Sequence, residues 1–301
     1  MSATLSRDPG LVATGSRAGR LAGRLWRALA RTHGRLGTVG MLAAAFLIAV
    51  ALVAILAPLV APYKPNAEDL FSINAAPSSS HLLGTDDTGR DILSRLIWGA
   101  RTSLLGPTIV VGVATLIAVP LAAASAWCGG KVDVAISRVL DLIFAFPGLL
   151  LAILIVALYG QGLLPCSVSL AIAYMPWIAR VARSGLLRER NKAYIAALDV
   201  QGLPGLAICL RHLIPNIASI IWSQVTISFG YALVDLAALS FLGLNVQPPT
   251  SDWGVMVNNE TALLDGHSME VIIPCIVIVL CVTAVTYVGN QLSDVDQRAA
   301  R

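Results

Sequence analysis

The chain has 301 residues, of which 56% are hydrophobic and 13% charged, with a mean hydropathy of +0.77. That balance excludes an ordinary soluble domain and places the chain in a membrane. The net charge of +4 is too small to imply a polyanionic partner, and the five cysteines form neither a C-x-x-C pair nor a histidine-flanked metal pattern, so no disulfide framework or zinc site is indicated.

In chain order, the first feature is basic. Arg17, Arg20, Arg24, Arg27 and Arg31 step by three and four, which puts five cations on one helical face, with Leu21, Leu25, Trp26 and Leu29 largely elsewhere. Residues 1–37 therefore read as a cytoplasmic basic tail, either an amphipathic helix on the anionic inner leaflet or a tail that only fixes topology. Nucleic-acid binding is not needed to explain arginines beside a membrane span. The first long apolar run starts near Val39 without a convincing small-residue cleavage site after it, so it reads as a retained anchor.

Apolar runs long enough to cross about 30 Å of hydrocarbon lie at 39–61, 103–127, 136–159, 164–182, 216–243 and 270–291. They predict an all-α membrane protein in which residues 38–301 form one six-helix domain. The third and fourth runs are separated only by Gly160, Gly162 and Pro165, so a fused pair is the alternative. Pro107, Pro120, Pro147, Pro176 and Pro274 fall inside the runs and point to a packed bundle, in which neighbours satisfy the carbonyls that proline leaves free.

The loop 63–101, between the first two runs, is rich in charge. Gly84 and Gly89 bracket a turn containing Asp86 and Asp87, and a short helix carrying Arg90, Asp91 and Arg95 is predicted to lead into the second span. Its charges could hold a soluble partner or a gate. Asp86, Asp87 and Asp91 lack the spacing and closing glutamate of a calcium loop, so no metal site is assigned.

A second polar stretch, 184–215, separates the fourth and fifth runs. Residues 188–201 are mostly good helix formers, Gly202 can end a helix at positive φ, and Pro204 can open the next turn at its first position. A helix, a swivel and a second short helix could pass a push from a moving partner, although a plain connecting loop is the simpler reading of the residues alone. In the fifth run Asp235 is an ionisable group at membrane depth, with Gln224 further along. Such groups mark either a pathway or hydrogen-bonded packing. Arg138 and Asp141 near the third span's end read as an interfacial ion pair.

Orientation follows from the basic residues. With the N-terminus inside, 17 of the 21 lysines and arginines are cytoplasmic, and only Lys64, Arg90, Arg95 and Arg101 fall outside. Both termini are therefore expected in the cytoplasm. Gly129, Gly130 and Lys131 lack the upstream glycine and the following Ser or Thr of a phosphate-binding loop, so ATP binding is not expected in this chain.

The run from His81 to Leu104, H-x-L-G-T-D-x-x-G-R-D-x-L-S-R-L-I-x-G-A-R-x-S-L, resembles the signature of the dipeptide, oligopeptide and nickel subfamily of ATP-binding-cassette importer permeases, specifically the second permease of the pair. Gly129, Gly130 and Asp133, then Arg138, Asp141 and Ala145 to Pro147, are similar to a second family pattern. Ser240 to Leu244, Val246 to Thr250, Trp253 and Gly254 are similar to a third, and Gly289 to Arg298 resembles the closing segment more loosely. The polar stretch is similar to the family's E-A-A, three residues, G, nine residues, I-x-L-P motif. Here Ala196 stands in place of the glutamate, Ala197 is kept, Leu198 replaces an alanine, and Gly202 and Pro215 keep their spacing.

The resemblance implies an importer-permease bundle in a bacterial inner membrane that makes and breaks no bonds itself. It implies a homologous second permease, two cytoplasmic ATPases holding ATP and Mg, an extracytoplasmic binding protein, surrounding lipid, and no nucleic acid. It also implies ATPase coupling through Tyr194, Ala196, Ala197, Gly202, Arg211, His212 and Pro215, and an outer partner or gate at Asp86, Gly89, Arg90, Asp91 and Arg95. Cargo would be a short peptide. Nickel is the alternative, disfavoured because His33, His81, His212 and His267 all lie in loops or tails. A secondary transporter would need internal repeats that are not evident. A membrane enzyme would need more at depth than a lone Asp235.

Overall fold

The computed structural model describes residues 37–259, 262 and 266–299, with side chains to residue 291. The arginine-rich segment lies outside the described residues. Among those described, the chain is helical, with a single isolated bridge between Thr85 and Asp91 in place of any sheet.

Helix α1 covers Gly37–Ile55 and breaks at Leu56 into a single turn, α2 (Ala57–Val60), where Pro58 removes a backbone donor. After the outer loop comes α3, Ile92–Cys128, 37 residues that rise about 55 Å, far more than hydrocarbon requires. The short entry helix expected before the second span is instead the first turn of α3. Asp91 caps it by accepting the Ser94 amide at 2.8 Å, while Arg90 precedes it.

The third predicted span is not one helix. Residues Gly130–Phe144 (α4) and Gly148–Tyr159 (α5) meet at 80°, so among the described residues five helices are long and apolar enough to cross, or six if this bent pair is one span. The break falls at Ala145 to Pro147, where proline supplies no amide and disfavours a helical conformation for Phe146. Helix α6, Leu163–Arg190, continues past the expected 182 through Arg183, Arg188 and Arg190. Three short pieces follow, α7 (Ala193–Val200), α8 (Gly205–Ile208) and α9 (Ile214–Asn216), then α10 (Ala218–Phe241), α11 (Trp253–Val257) and α12 (Met269–Ala299).

The most extensive contact is between α3 and α6, followed by α10 with α12 and α10 with α3. Its sequence basis is a stripe of Ala114, Ala118, Ala122 and Ala126, one every four residues along α3 and each at most 1% exposed. Small residues at this spacing let two backbones approach closely, which is how helices associate where lipid is as apolar as leucine. Leu170, Ile178, Leu236 and Leu239 complete the central core, while Leu42, Ile48, Ile55 and Leu116 remain on the outer surface as lipid requires. A second core beneath the polar stretch gathers Leu186, Ile195, Ile208, Leu213 and Ile217.

Candidate functional site

The structure organises the polar residues into three sites, at the two ends of the bundle and at its middle. At the outer end, Asp86 is the centre of a charge knot. One of its oxygens accepts from the amides of Thr88 (3.0 Å) and Arg90 (2.8 Å) and from the Thr88 hydroxyl (2.8 Å). The other accepts from Arg90 Nε (2.7 Å) and Arg95 Nη1 (2.5 Å). Burial would raise this carboxyl, but these donors and the two guanidiniums outweigh it and hold it below the ordinary carboxylate range.

Asp91 is committed elsewhere, to Ser94 on one oxygen and His81 Nδ1 (3.0 Å) on the other. The turn depends on Gly89, whose φ is +77° and whose added Cβ would sit 2.0 Å from the Asp69 carbonyl oxygen. The residues read as an outer partner or gate, Asp86, Gly89, Arg90, Asp91 and Arg95, are thus brought together, but their charges face one another, leaving Asp87 half exposed. One carboxylate oxygen each of Asp86, Asp87 and Glu270 lies within 4.8 Å of the others. Both oxygens of Asp86 are already taken by arginine, amide and hydroxyl donors, a poor arrangement for a cation.

Beside the knot, α11 is pinned to α3. Asp252, 3% exposed, caps α11 through the Gly254 amide (2.9 Å) and accepts from the Ser103 hydroxyl (2.8 Å); Trp253 donates its indole N–H to the Leu96 carbonyl at 3.0 Å. Burial pushes the Asp252 carboxyl above its ordinary range against the pull of Ser103 and Ser240.

At the opposite end the polar stretch forms a compact unit. Helix α7 buries Ile195 in the second core and leaves Ala196 and Ala197 exposed. It ends where the sequence predicts: Gly202 has φ +79°, its amide bonds the Asp199 carbonyl at 2.9 Å, and the Leu203 amide bonds the Leu198 carbonyl at 3.3 Å, a Schellman motif. Pro204 precedes α8 as its cap rather than occupying its first position, and the helix former run 188–201 is broken at Asn191 and Lys192.

Cys209–Leu213 is a π-turn carrying Arg211 and His212, closed by the Ile214 amide on the Cys209 carbonyl. Pro215, which has no amide to give Arg211, is the local reason for the wider turn. Arg211 and Pro215 are exposed, His212 is half-buried, and Val200, Leu206 and Leu210 project 90%, 72% and 57% exposed around them.

The sequence singles out Tyr194 but assigns no role to Glu189 or Asn216, which hold this unit with it. Glu189, 7% exposed, accepts from the Tyr194 hydroxyl (2.6 Å) and the Asn216 amide (3.2 Å) and pairs with Lys192 (2.7 Å). Burial and then the Glu189 carboxylate push the Tyr194 phenol above its ordinary value, keeping it a donor. The signal available in sequence was that Glu189 is the single acid between Arg180 and Lys192. The arginines counted for topology also have specific partners. Arg183 grips Asp133 with two bonds of 2.7 and 2.5 Å, and Arg190 donates to the Ala126 carbonyl at 2.5 Å while lying over Trp127. Asp141 pairs across to α6 with Arg180 at 2.7 Å, not with Arg138 as expected.

At mid-depth the Tyr174 hydroxyl donates to Asp235 at 2.9 Å, and the rings of Trp177 and Tyr231 stack at 5.8 Å on the same pair of helices, 43% and 50% exposed. Gln224 is buried and bonds Ser228 at 3.2 Å within α10.

Residues 114–298 match the family described as binding-protein-dependent transport system inner membrane component, and residues 38–77 match the N-terminal TM domain of oligopeptide transport permease C. The chain is 35% identical over 275 residues to a di/tripeptide transport system permease protein of Pseudomonas aeruginosa, covering 89% of each. It is 36% identical over 270 residues to a glutathione transport system permease protein of Escherichia coli, covering 89% of this chain and 88% of that one. A dipeptide transport system permease protein of Haemophilus influenzae is 32% identical over 255 residues, covering 83% and 86%. The fold is similar to that of an inward-facing MetNI methionine ABC transporter structure, with a TM-score of 0.55 at 17% identity over 67% of this chain and 95% of that chain.

Proposed function

The chain belongs to the family of binding-protein-dependent transport system inner membrane components, and from that premise we infer that it is one permease half of an ATP-driven importer of short peptides. Its relatives carry di/tripeptide and glutathione transport in their names, which supports peptide cargo over nickel. A homologous permease would complete the pathway, an extracytoplasmic binding protein would deliver cargo, and two ATPase subunits would hold ATP and Mg on the cytoplasmic side. Both termini would lie on that side of a bacterial inner membrane, as the distribution of basic residues implies.

The observation that carries the coupling role is the surface of the α7 to α9 unit. Its inner face is packed on the bundle, while Val200, Leu206 and Leu210 stand exposed, as do Arg211 and Ala197, at the end that the distribution of basic residues implies is cytoplasmic. Apolar side chains clustered this way outside the lipid-facing spans mark an interaction surface. Docked there, a moving ATPase would shift the permease between inward-open and outward-open populations. Because these side chains are exposed, V200D together with L206D is expected to leave folding intact and to lower ATPase co-purification at least about tenfold, the loss that removing two buried anchors supports. Equal recovery would sink the docking site. Uptake of labelled di- to pentapeptides by cells with and without the gene tests the cargo; unchanged uptake would reject peptide transport.

We further assign the open face carrying Trp177, Tyr231 and Asp235 to the wall of the pathway, because a carboxylate at this depth calls for water or a partner and not lipid. Gln224, turned inward on Ser228, is assigned to packing. D235N preserves the size of the side chain beside Tyr174 and removes the charge. It is expected to slow uptake of lysine-containing peptides several-fold more than that of neutral ones. An equal loss for both would assign Asp235 to packing instead.

A further inference from the structure

A rigid coupling unit needs more than a docking face, because its ends are joined to long helices by short links that act as hinges. Helix α6 stops at Arg190, α7 begins at Ala193, and the Asn191 and Lys192 link between them is held by i to i−3 turn bonds, Lys192 amide to Glu189 carbonyl (3.2 Å) and Ile195 amide to Lys192 carbonyl (3.0 Å), in place of α-helical ones. At the far end the π-turn and Ile217, non-helical at φ −103° and ψ 6° with its amide shared between the Leu213 and Ile214 carbonyls at 3.3 and 3.2 Å, form a second joint before α10. A push on α7 would be lost in these joints unless something spans them.

Glu189 spans both. Its carboxylate sits at the end of α6 and receives one donor from the link (Lys192 Nζ, 2.7 Å), one from α7 (Tyr194 hydroxyl, 2.6 Å) and one from α9 (Asn216 Nδ2, 3.2 Å). Asn216 also donates to the Tyr194 oxygen at 2.6 Å, which closes a triangle among three elements. Only 7% of Glu189 is exposed, and hydrogen bonds to a charged acceptor are roughly twice as strong as neutral ones. Beneath this triangle the apolar floor of Ile195, Ile208, Leu213 and Ile217 supplies adhesion without direction. The carboxylate supplies the direction.

We propose that Glu189 is the positioning residue of the coupling unit, a clasp that ties α6, α7 and α9 into one body so that displacement of α7 carries α6 with it and reaches α10 through α9. The clasp rests on the coupling role inferred above. It does so from inside the permease, so it concerns transmission of the ATPase movement and not recognition of the ATPase.

The test is the number of peptides taken up per ATP hydrolysed by the complete importer reconstituted in liposomes, with ATPase content measured in the same preparations. E189A is expected to assemble with its ATPases and hydrolyse ATP, with uptake per ATP reduced at least about tenfold, the shift that loss of a charged hydrogen-bond set supports. E189Q retains an acceptor oxygen for Tyr194 and Asn216 and is expected to recover most of the coupling. Y194F, which removes one hydroxyl, is expected to lower it less than E189A. Normal uptake per ATP in an assembled E189A importer would overturn the clasp. If E189A does not assemble, Y194F decides, and unchanged coupling in that variant would overturn it as well. A wild-type importer whose uptake is indifferent to ATP hydrolysis would overturn the coupling reading and the clasp with it, an outcome visible before any variant is made.

Discussion

D86A is expected to destabilise the outer end of the permease by about 3–5 kcal/mol, the cost of removing one partner from a buried ion pair and leaving the other charge uncompensated. Arg95, 4% exposed, loses its ion-pair partner, and Arg90, 11% exposed, is left with only the half-exposed Asp87 at 3.8 Å, since both direct their close donors to the same carboxylate. Arg95 is the more vulnerable because its Nε already has no hydrogen-bond partner. The substitution also releases the amides of Thr88 and Arg90 that hold the turn. Thermal unfolding of the detergent-solubilised protein, with proteolysis of the outer loop as a local readout, measures the loss; a change below about 1 kcal/mol would contradict the knot.

The same carboxylate sets a pH dependence. Its folded pKa lies below the unfolded value, so the folded state binds fewer protons and the knot's contribution is complete above the unfolded value. It is lost as pH falls through the folded value. Acidification should therefore loosen the outer loop first in the wild type, and D86A should lack that acid-sensitive step.

The second large effect is expected from W253A, about 3–5 kcal/mol for truncating a buried aromatic side chain. Trp253 is 1% exposed and packs with Ala54, Ala100, Leu233 and Cys281, so it joins α1, α3, α10 and α12 through one residue of α11. Its surroundings are shaped to it. A Cβ on Gly99 would meet the indole at 3.1 Å, and one on Gly254 would sit 2.4 Å from the Ala237 carbonyl oxygen. Truncation leaves a cavity that these rigid helix backbones cannot close, and it removes the indole bond to Leu96. W253F should recover most of the packing and lose only the hydrogen bond, about 0.5–1.5 kcal/mol. Equal destabilisation by both variants would place the energy in the hydrogen bond instead.

Much of this architecture is legible from residue order because membrane insertion depends on local composition. A run of apolar side chains crosses lipid whatever its neighbours do, so the expected position holds to within two residues for both ends of α10 and for the starts of α1 and α12. Gly202 followed by Pro204 likewise marks the end of α7 through backbone conformation alone. The bend at Ala145 to Pro147 was legible only in part: Pro147 was evident, but a proline within a span can kink, break or be accommodated, as Pro107, Pro120 and Pro176 are inside continuous helices.

What residue order determined by itself is the class of the protein, the approximate positions of most of its spans, and the stretch between Tyr194 and Pro215 as a polar segment set apart from them. Tertiary structure alone decided the pairings. Asp141 took Arg180 in place of its neighbour Arg138, the outer charges turned on one another, and Glu189, an acid in a run of arginines, became the point where three elements meet. The reason is range. Hydropathy and backbone preference act over a few residues, while a carboxylate selects the nearest donors in space, and these are set by how helices distant in sequence pack.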